Sequence, residues 1–301
     1  MDAVELHEVT KGFEHHLAVD QLSLRVPAGS IYGFIGPNGS GKTTTLRLLM
    51  RILYPDRGEI RVLGRPLDRA AVGRLGYLPE ERGMYRRMRV RDLLRFFGQI
   101  KAGRSVDDEV DYWLARLDLG AWAGRKFETL SRGMGQKVQF IAAVVSRPDV
   151  VLLDEPFSSL DPVNAESLRS ALLELRARGT TVLFSTHDMH VAEQLCDFVL
   201  MICRGRKVLD GTLGQIQAQF GRDTVRVRCD GGVGALTGLP GVEAVADLGQ
   251  VQEARLMVGA DVQALLAGLV ARTAVWSFEV VHPSLHDIFV RVAGPQETSA
   301  S

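Results

Sequence analysis

The spacing of apolar residues changes character along the chain. Ile31-Tyr32-Gly33-Phe34-Ile35 is a short apolar run of strand length, set off by a turn at Ala28-Gly29-Ser30. After a glycine-bearing loop, Leu46, Leu49, Met50 and Leu53 recur at i, i+3, i+4 and i+7, the spacing of one helical face. Pro55-Asp56-Arg57-Gly58 is expected to stop that helix. Strand, glycine loop and helix in this order open a doubly wound α/β domain. From about 88 to 147 the period becomes helical throughout. Val90, Leu93, Leu94 and Phe97 form one stripe, Val110, Trp113, Leu114 and Leu117 another, and Val138, Ile141, Ala142 and Val145 a third. This predicts a helical insertion. The α/β pattern returns at Val150-Val151-Leu152-Leu153, apolar at every position, as a parallel strand covered on both faces requires. Asp161-Pro162 reads as an N-cap followed by proline at the first helical position. Leu168, Ala171, Leu172 and Leu175 supply that helix's buried stripe, and Gly179 ends it. Residues 180–185 read as a strand, and 198–202 with 207–209 as a hairpin turning at Arg204-Gly205.

Past Phe220 the pattern shifts again. Val225, Val227 and Cys229 alternate with Arg226 and Arg228, a strand with one wet face. Strand-like pieces follow at 242–246, 256–258 and 275–281. Leu265, Leu266 and Leu269 mark one helix, and Leu285, Ile288, Phe289 and Val292 a last short one. The expected organisation is therefore a first domain over 1–219, carrying the helical insertion, and a small α+β domain over 220–301, with a fraying tail from 296 to 301.

Composition narrows the function classes. The chain has 301 residues, 36 Lys+Arg against 36 Asp+Glu and 46% hydrophobic residues, so it can form a core and is no disordered tail. A formal net charge of +0 gives no basic footprint for nucleic acid. No unbroken apolar run approaches the ~20 residues that span a bilayer, and Met1-Asp2-Ala3-Val4-Glu5 is not the basic start of a secretory signal. Cys196, Cys203 and Cys229 lack metal or redox spacing and read as core or surface thiols of a reducing compartment.

Gly36-Pro37-Asn38-Gly39-Ser40-Gly41-Lys42-Thr43 fits G-x-x-x-x-G-K-[ST]. Its glycines let the loop curl so that backbone N–H groups point at phosphate oxygens, and the following helix adds its positive end. Lys42 is expected at the β- and γ-phosphates and Thr43 on Mg²⁺; Thr44 joins the ATP-binding set. The buried strand before Asp154-Glu155 ends in two carboxylates. Asp154 is expected to face the metal and Glu155 to orient and deprotonate the attacking water.

Leu130-Ser131-Arg132-Gly133-Met134-Gly135-Gln136 precedes the third helical stripe, and here the chain resembles the ATP-binding subunits of ABC transporters, whose signature reads L-S-G-G-Q. Leu130, Ser131 and Gly133 match; Arg132 replaces the first glycine and Met134 the glutamine. The resemblance implies that Ser131, Arg132 and Gly133 meet the ATP of a partner subunit. It also places Phe13 where an aromatic stacks on adenine, though a core phenylalanine fits the pattern equally. Ser158-Ser159-Leu160-Asp161 resembles the D-loop that crosses to the partner, with Asp161 serving also as a helix cap. Ser185-Thr186-His187-Asp188 brings His187 to the position of the histidine that senses the γ-phosphate. One position departs. The glutamine expected after Leu75-Gly76-Tyr77-Leu78-Pro79 is replaced by Glu80, followed by Glu81. An ionised glutamate still offers an oxygen to metal or water but donates no hydrogen bond, so Glu80 is expected as an oxygen ligand near the metal.

The resemblance covers residues 3–219. Pro283-Ser284-Leu285-His286-Asp287-Ile288-Phe289 and the stretch 76–87 resemble one exporter branch, which includes sodium and drug efflux ATPases. It implies an α/β P-loop ATPase of ABC type that hydrolyses ATP with Mg²⁺. It further implies a head-to-tail homodimer, or a dimer with a paralogous ATPase, in which each ATP lies between two chains. Transmembrane permease subunits, docked by the helical insertion and the Glu80 loop, would carry an unidentified solute outward, with this chain cytoplasmic and peripheral on the membrane. Met84, Tyr85 and Met88 are either part of that docking surface or ordinary insertion core. A soluble ABC ATPase acting on a ribosome or DNA complex is the alternative; the linkers, coiled coils and zinc cysteines of such relatives are missing from the pattern.

Overall fold

The computed structural model describes residues 1–14, 16–81, 83–158, 160–220, 224–257, 259–281 and 283–293. Contacts divide the chain into two compact units, Met1–Leu213 and one starting at Gly214. In chain order the first unit runs β1 (Asp2–Phe13), β2 (His16–Pro27), β3 (Ile31–Ile35), α1 (Lys42–Leu49), β4 (Arg57–Val62), β5 (Arg65–Pro66), α2 (Arg69–Gly73) and β6 (Leu75–Leu78). It continues with α3 (Val90–Ala102), α4 (Asp107–Arg116), α5 (Arg132–Val144), β7 (Val150–Asp154), α6 (Pro162–Ala177), β8 (Thr181–Thr186), α7 (Met189–Leu195), β9 (Phe198–Cys203) and β10 (Arg206–Gly211). A helix α8 (Leu213–Gln219) follows.

Two sheets build the first unit. One is antiparallel, in the order β2-β1-β4-β5. The other runs β10-β9-β3-β8-β7-β6, parallel except for β10 at its edge. Every residue of β3, β7 and β8 is buried, because both faces are covered. Tyr32, Phe34, Leu152 and Leu183 pack with Leu46 and Leu49 of α1 and with Val4, Leu6 and Val19 of the antiparallel sheet. Ile31, Leu153, Val182 and Phe184, on the opposite face, join Val90, Leu93, Trp113, Phe140 and the α6 stripe. At about 1.5–3 kcal/mol for each fully buried large apolar side chain, these layers hold the sheet that carries the site.

Several local expectations meet the structure directly. Asp161 caps α6 through Asn164 N–H at 2.9 Å, with Pro162 at the first helical turn. The hairpin β9–β10 turns at Arg204-Gly205. The helix after the glycine loop is shorter than its apolar face suggests: α1 ends at Leu49, ahead of Leu53 and Pro55. Arg51 takes φ 52°. Its N–H reaches Leu48 O at 3.0 Å, while Ile52 N–H reaches Arg47 O at 3.0 Å. This Schellman closure satisfies the terminal carbonyls, so Met50 and Leu53 pack from a loop, half-buried against the same core. Met84 and Met88 pack against the insertion core, whereas Tyr85 is exposed and lies against Phe96 and Phe97.

A close approach joins the insertion to the sheet at Gly76 of β6. A Cβ there would lie 2.2 Å from the Ala143 carbonyl oxygen of α5 and 3.0 Å from Pro148 Cγ. Because the nearer atom is backbone, Gly76→Ala should destabilise the first unit by about 2 kcal/mol or more. A urea melt checks this; an unchanged midpoint would show that α5 is free to shift.

The second unit runs β11 (Thr224–Cys229), α9 (Gly232–Leu236), β12 (Val242–Asp247), β13 (Gln252–Leu256), α10 (Val262–Val270), β14 (Val275–Val281) and α11 (Leu285–Ala293). Its sheet is antiparallel in the order β12-β13-β11-β14, the β-α-β-β-α-β arrangement of ferredoxin-like domains. Val225 and Val227 of β11 face a core with Leu236, Leu256, Leu265 and Leu269, while Arg226 stays on the wet face and pairs with Glu253 at 3.0 Å. The strand expected at 256–258 instead starts at Gln252; Val258 and the 296–301 tail lie outside the described residues. The three cysteines are free thiols, each half-buried.

Candidate functional site

Neighbouring strands of the parallel sheet present their carboxyl ends in the order β3, β8, β7, β6. The loop Gly36 to Gly41 leaves β3, His187 follows β8, Asp154 ends β7 with Glu155 next, and Glu80 lies just past β6. An open α/β sheet binds ligands at this edge. Here the edge opens into a cleft of about 570 Å³ lined by Phe13, His16, Ala18, Asn38, Gly39, Ser40, Gly41, Lys42, Thr43, Thr44, Glu80, Glu155, Ser158 and His187.

The glycine loop is held at backbone distance from its surroundings. Gly41 caps α1 with φ 108°, and a Cβ on it would lie 2.3 Å from the Ala18 carbonyl oxygen. Only glycine fits such a conformation. Lys42 starts α1 at 5% exposure. Its ammonium donates to Gly36 O at 2.7 Å and Pro37 O at 3.0 Å, and stands 3.7 Å from Glu155 Oε1. Burial pushes its pKa below the usual lysine range, while Glu155, Asp154 and Glu80 pull it back up. The ammonium and the first N–H groups of α1 together make one end of the cleft anion-seeking.

Asp154 is fully buried. Its Oδ1 accepts from Thr43 Oγ1 at 3.0 Å and from Ser185 Oγ at 2.6 Å; its Oδ2 is buried without a hydrogen-bond partner. A hydroxyl beside an orphaned carboxylate oxygen is a hard-oxygen donor set, and it fits Mg²⁺. Ser185 Oγ also accepts from the Glu155 N–H at 2.9 Å, so one hydroxyl fixes both acids. Glu155 takes φ 48°, a strained conformation for a residue with a side chain, worth on the order of 1–3 kcal/mol. Its Oε2 lies 3.1 Å from His187 Nδ1, and its buried Oε1 has no hydrogen-bond partner. Phe13, half exposed at 44%, sits at the cleft wall rather than in the core.

Other expected site residues lie elsewhere. Ser131 caps α5, accepting from Met134 N–H at 3.3 Å. A Cβ on Gly133 would lie 2.8 Å from Asn164 Nδ2, and Asn164 is the residue that Asp161 caps, so the starts of α5 and α6 meet there. Arg132 lines a separate cavity of about 280 Å³ with Glu80, Glu81, Gln136, Glu155 and Ser158. Ser159 lies outside the described residues. His16, Ala18 and Ser185 carry no local sequence signal. Ser185 is recognised only through the β7–β8 register, which sets it beside Asp154.

Comparison with known proteins points to one family. A family model described as ABC transporter matches residues 19–158, and one described as the ATP-binding protein DrrA1-3-like C-terminal domain matches 211–293. The ABC transporter ATP-binding protein YhaQ of Bacillus subtilis is 38% identical, over 96% of this chain and 98% of that protein. Nod factor export ATP-binding protein I of Burkholderia lata is 36% identical, over 74% of this chain and 76% of its own. Among solved structures, an ATP-binding subunit of an ABC transporter superposes with a TM-score of 0.68 at 28% identity, over 73% of this chain and 93% of that one.

Proposed function

Since the chain belongs to the ATP-binding subunits of ABC transporters, we propose that its cleft hydrolyses ATP to ADP and phosphate to power export of a solute through a separate membrane permease. The observation that carries this reading is the gathering of the glycine loop, Lys42, Glu155 and His187 around one cleft. Among the described residues no helix is long and apolar enough to cross a membrane, in keeping with a transport path supplied by another subunit. The export direction is supported by the relative named for Nod factor export.

Phe13 stacks on the adenine, and the backbone from Gly36 to Thr44 wraps the phosphates. Lys42 is held by two loop carbonyls, with Glu155 3.7 Å away, and its ammonium is placed for the β- and γ-phosphates. Thr43 and Asp154, with Glu80 past the neighbouring strand, would hold Mg²⁺, which would supply charge neutralisation at the phosphates. Glu155 accepts a proton from the attacking water; Lys42 and His187 face its carboxylate, and Ser185 holds its backbone N–H. His187, in contact with Glu155, is positioned to donate toward the γ-phosphate. Ser131, Arg132 and Gly133 engage the ATP of a second copy or a paralogue, with Asp161 at that interface. Tyr85, Phe96 and Ile100 are exposed on the insertion and form the apolar docking surface for the permease on the cytoplasmic side of the membrane.

Phosphate release by the purified full chain tests the reading. With Mg–ATP at saturation, turnover should fall below about 1% when EDTA exceeds the magnesium and return when the metal is restored. Turnover indifferent to EDTA would remove Thr43 and Asp154 from a metal-binding role.

A further inference from the structure

A further cavity, of about 430 Å³, opens at the amino ends of β7 and β8, whereas the nucleotide cleft lies at their carboxyl ends. Its walls come from α4, from the connection between α5 and β7, and from the connection between α6 and β8. Its volume falls in the range of small-molecule sites, roughly 300–1,000 Å³. Trp113, Val144 and Leu175, all buried, give it an apolar floor. Glu109 stands with them at 6% exposure, while Arg147 and Arg178 are the more exposed lining residues. One acceptor in this cluster is left over. Asp149 receives both Nε and Nη2 of Arg74 at 2.7 Å. Glu109 Oε1 accepts from Arg147 Nε at 2.6 Å. Arg178 donates through Nη2 to Glu174 and lies over the rings of Tyr112 and Trp113. Glu109 Oε2 is buried and accepts no hydrogen bond; Arg178 Nη1 stands 4.0 Å from it, beyond hydrogen-bond reach.

We propose that this cavity binds a free α-amino acid with an apolar side chain, its ammonium on Glu109 Oε2 and its carboxylate on Arg178 and Arg147. A buried carboxylate oxygen without a donor is costly. The gap between that oxygen and the Arg178 guanidinium calls for a head group that donates on one side and accepts on the other. The ammonium and carboxylate of an amino acid do both, with a charge-assisted bond of about 2.8–3.0 Å at each end. The lining carries two carboxylates, on Glu109 and Asp149, and two guanidiniums, on Arg147 and Arg178. A zwitterion matches that balance; an amine alone would face the two guanidiniums uncompensated, and an acid alone would face Glu109. The last turns of α5 and α6, which supply Val144 and Leu175, bring their negative dipole ends to the same cavity and favour the ammonium. A water bridging the gap would make no use of the apolar floor, which an aliphatic or aromatic side chain covers. The site shares no lining residue with the nucleotide cleft, so its occupant binds independently of the hydrolytic reading.

Calorimetric titration of the full chain with L-leucine and with L-phenylalanine tests it, with the thermal unfolding midpoint as a second readout. At least one of the two should bind with a Kd below about 1 mM and raise the midpoint. Isoamylamine, which is leucine without its carboxylate, and isocaproate, which lacks the ammonium, should each bind at least about tenfold more weakly than leucine. Arg178→Met keeps an apolar stem at the cavity and removes the guanidinium. It should weaken amino-acid binding at least about tenfold while leaving Mg–ATP affinity within about twofold. Glu109→Gln should weaken amino-acid binding to the same extent; if that chain fails to fold because Arg147 loses its carboxylate, Arg178→Met and the two analogues still decide. No heat and no midpoint shift with either amino acid at about 10 mM would overturn the proposal and leave the gap to water. Equal affinity for leucine and either analogue, or undiminished binding to Arg178→Met, would overturn it as well, because the two charged ends would not be read at this site.

Discussion

Lys42→Ala should weaken Mg–ATP binding by about 100-fold or more. The ammonium is 5% exposed, fixed between two loop carbonyls at 2.7 and 3.0 Å, and stands 3.7 Å from a buried carboxylate oxygen. Its position is already fixed in the folded chain, with burial only partly offset by the neighbouring carboxylates, so little reorganisation is needed when phosphate arrives. Hydrogen bonds to charged groups contribute about 1.5–3 kcal/mol each; losing contacts to two phosphates therefore removes roughly 3 kcal/mol or more, which is about two decades in Kd. A second effect acts in the same direction. Without Lys42, Glu155 keeps a buried negative charge facing the nucleotide, and its unpartnered Oε1 loses the nearest cation. Calorimetric titration of the nucleotide-free chain gives the affinity directly. A loss below about threefold would mean that the loop backbone alone carries phosphate binding.

Glu155→Gln should separate binding from turnover. The amide keeps the size and strained backbone of the carboxylate but cannot accept a proton from water. General-base loss costs about 10²–10⁴-fold in rate. Binding should persist, since the change removes negative charge from a phosphate site. If each ATP lies between two chains, the variant then holds its nucleotide long enough to accumulate a closed dimer in Mg–ATP and to remain a single chain in ADP, because the γ-phosphate supplies the bridge. Sedimentation in the two nucleotides distinguishes these species. The same mass in both would remove the two-chain arrangement for this protein acting alone.

Local chemistry explains what the sequence reveals about this molecule. The glycine loop, Lys42 and Thr43 lie within one short segment whose residue types suit only a few backbone shapes. The run 150–153 declares its burial because every side chain is apolar, and the cap at Asp161 is written in the residue and the proline after it. The α1 terminus was hidden, because Met50 and Leu53 continue the apolar period from a loop after Arg51 has already taken a left-handed conformation. Long-range placements were hidden for a different reason. Ser185 matters because β8 lies beside β7 in a register that pairs it with Asp154, and no local pattern encodes strand order. The contact of His187 with Glu155 and the cavity joining Glu80 to Arg132 likewise depend on strands and helices far apart in the chain. In the second unit, alternation revealed β11, but the short helix α9 within a glycine-rich stretch did not show, and with it the β-α-β-β-α-β order stayed out of reach.

The most direct measurement is steady-state phosphate release by the purified full chain at saturating Mg–ATP, with Glu155→Gln run beside it and bound nucleotide measured in both. Release by the parent that falls at least about 100-fold in the variant, while nucleotide stays bound, is the expected result. Equal release from the two proteins, or none from a parent that binds ATP, would contradict the assignment of hydrolysis to this cleft.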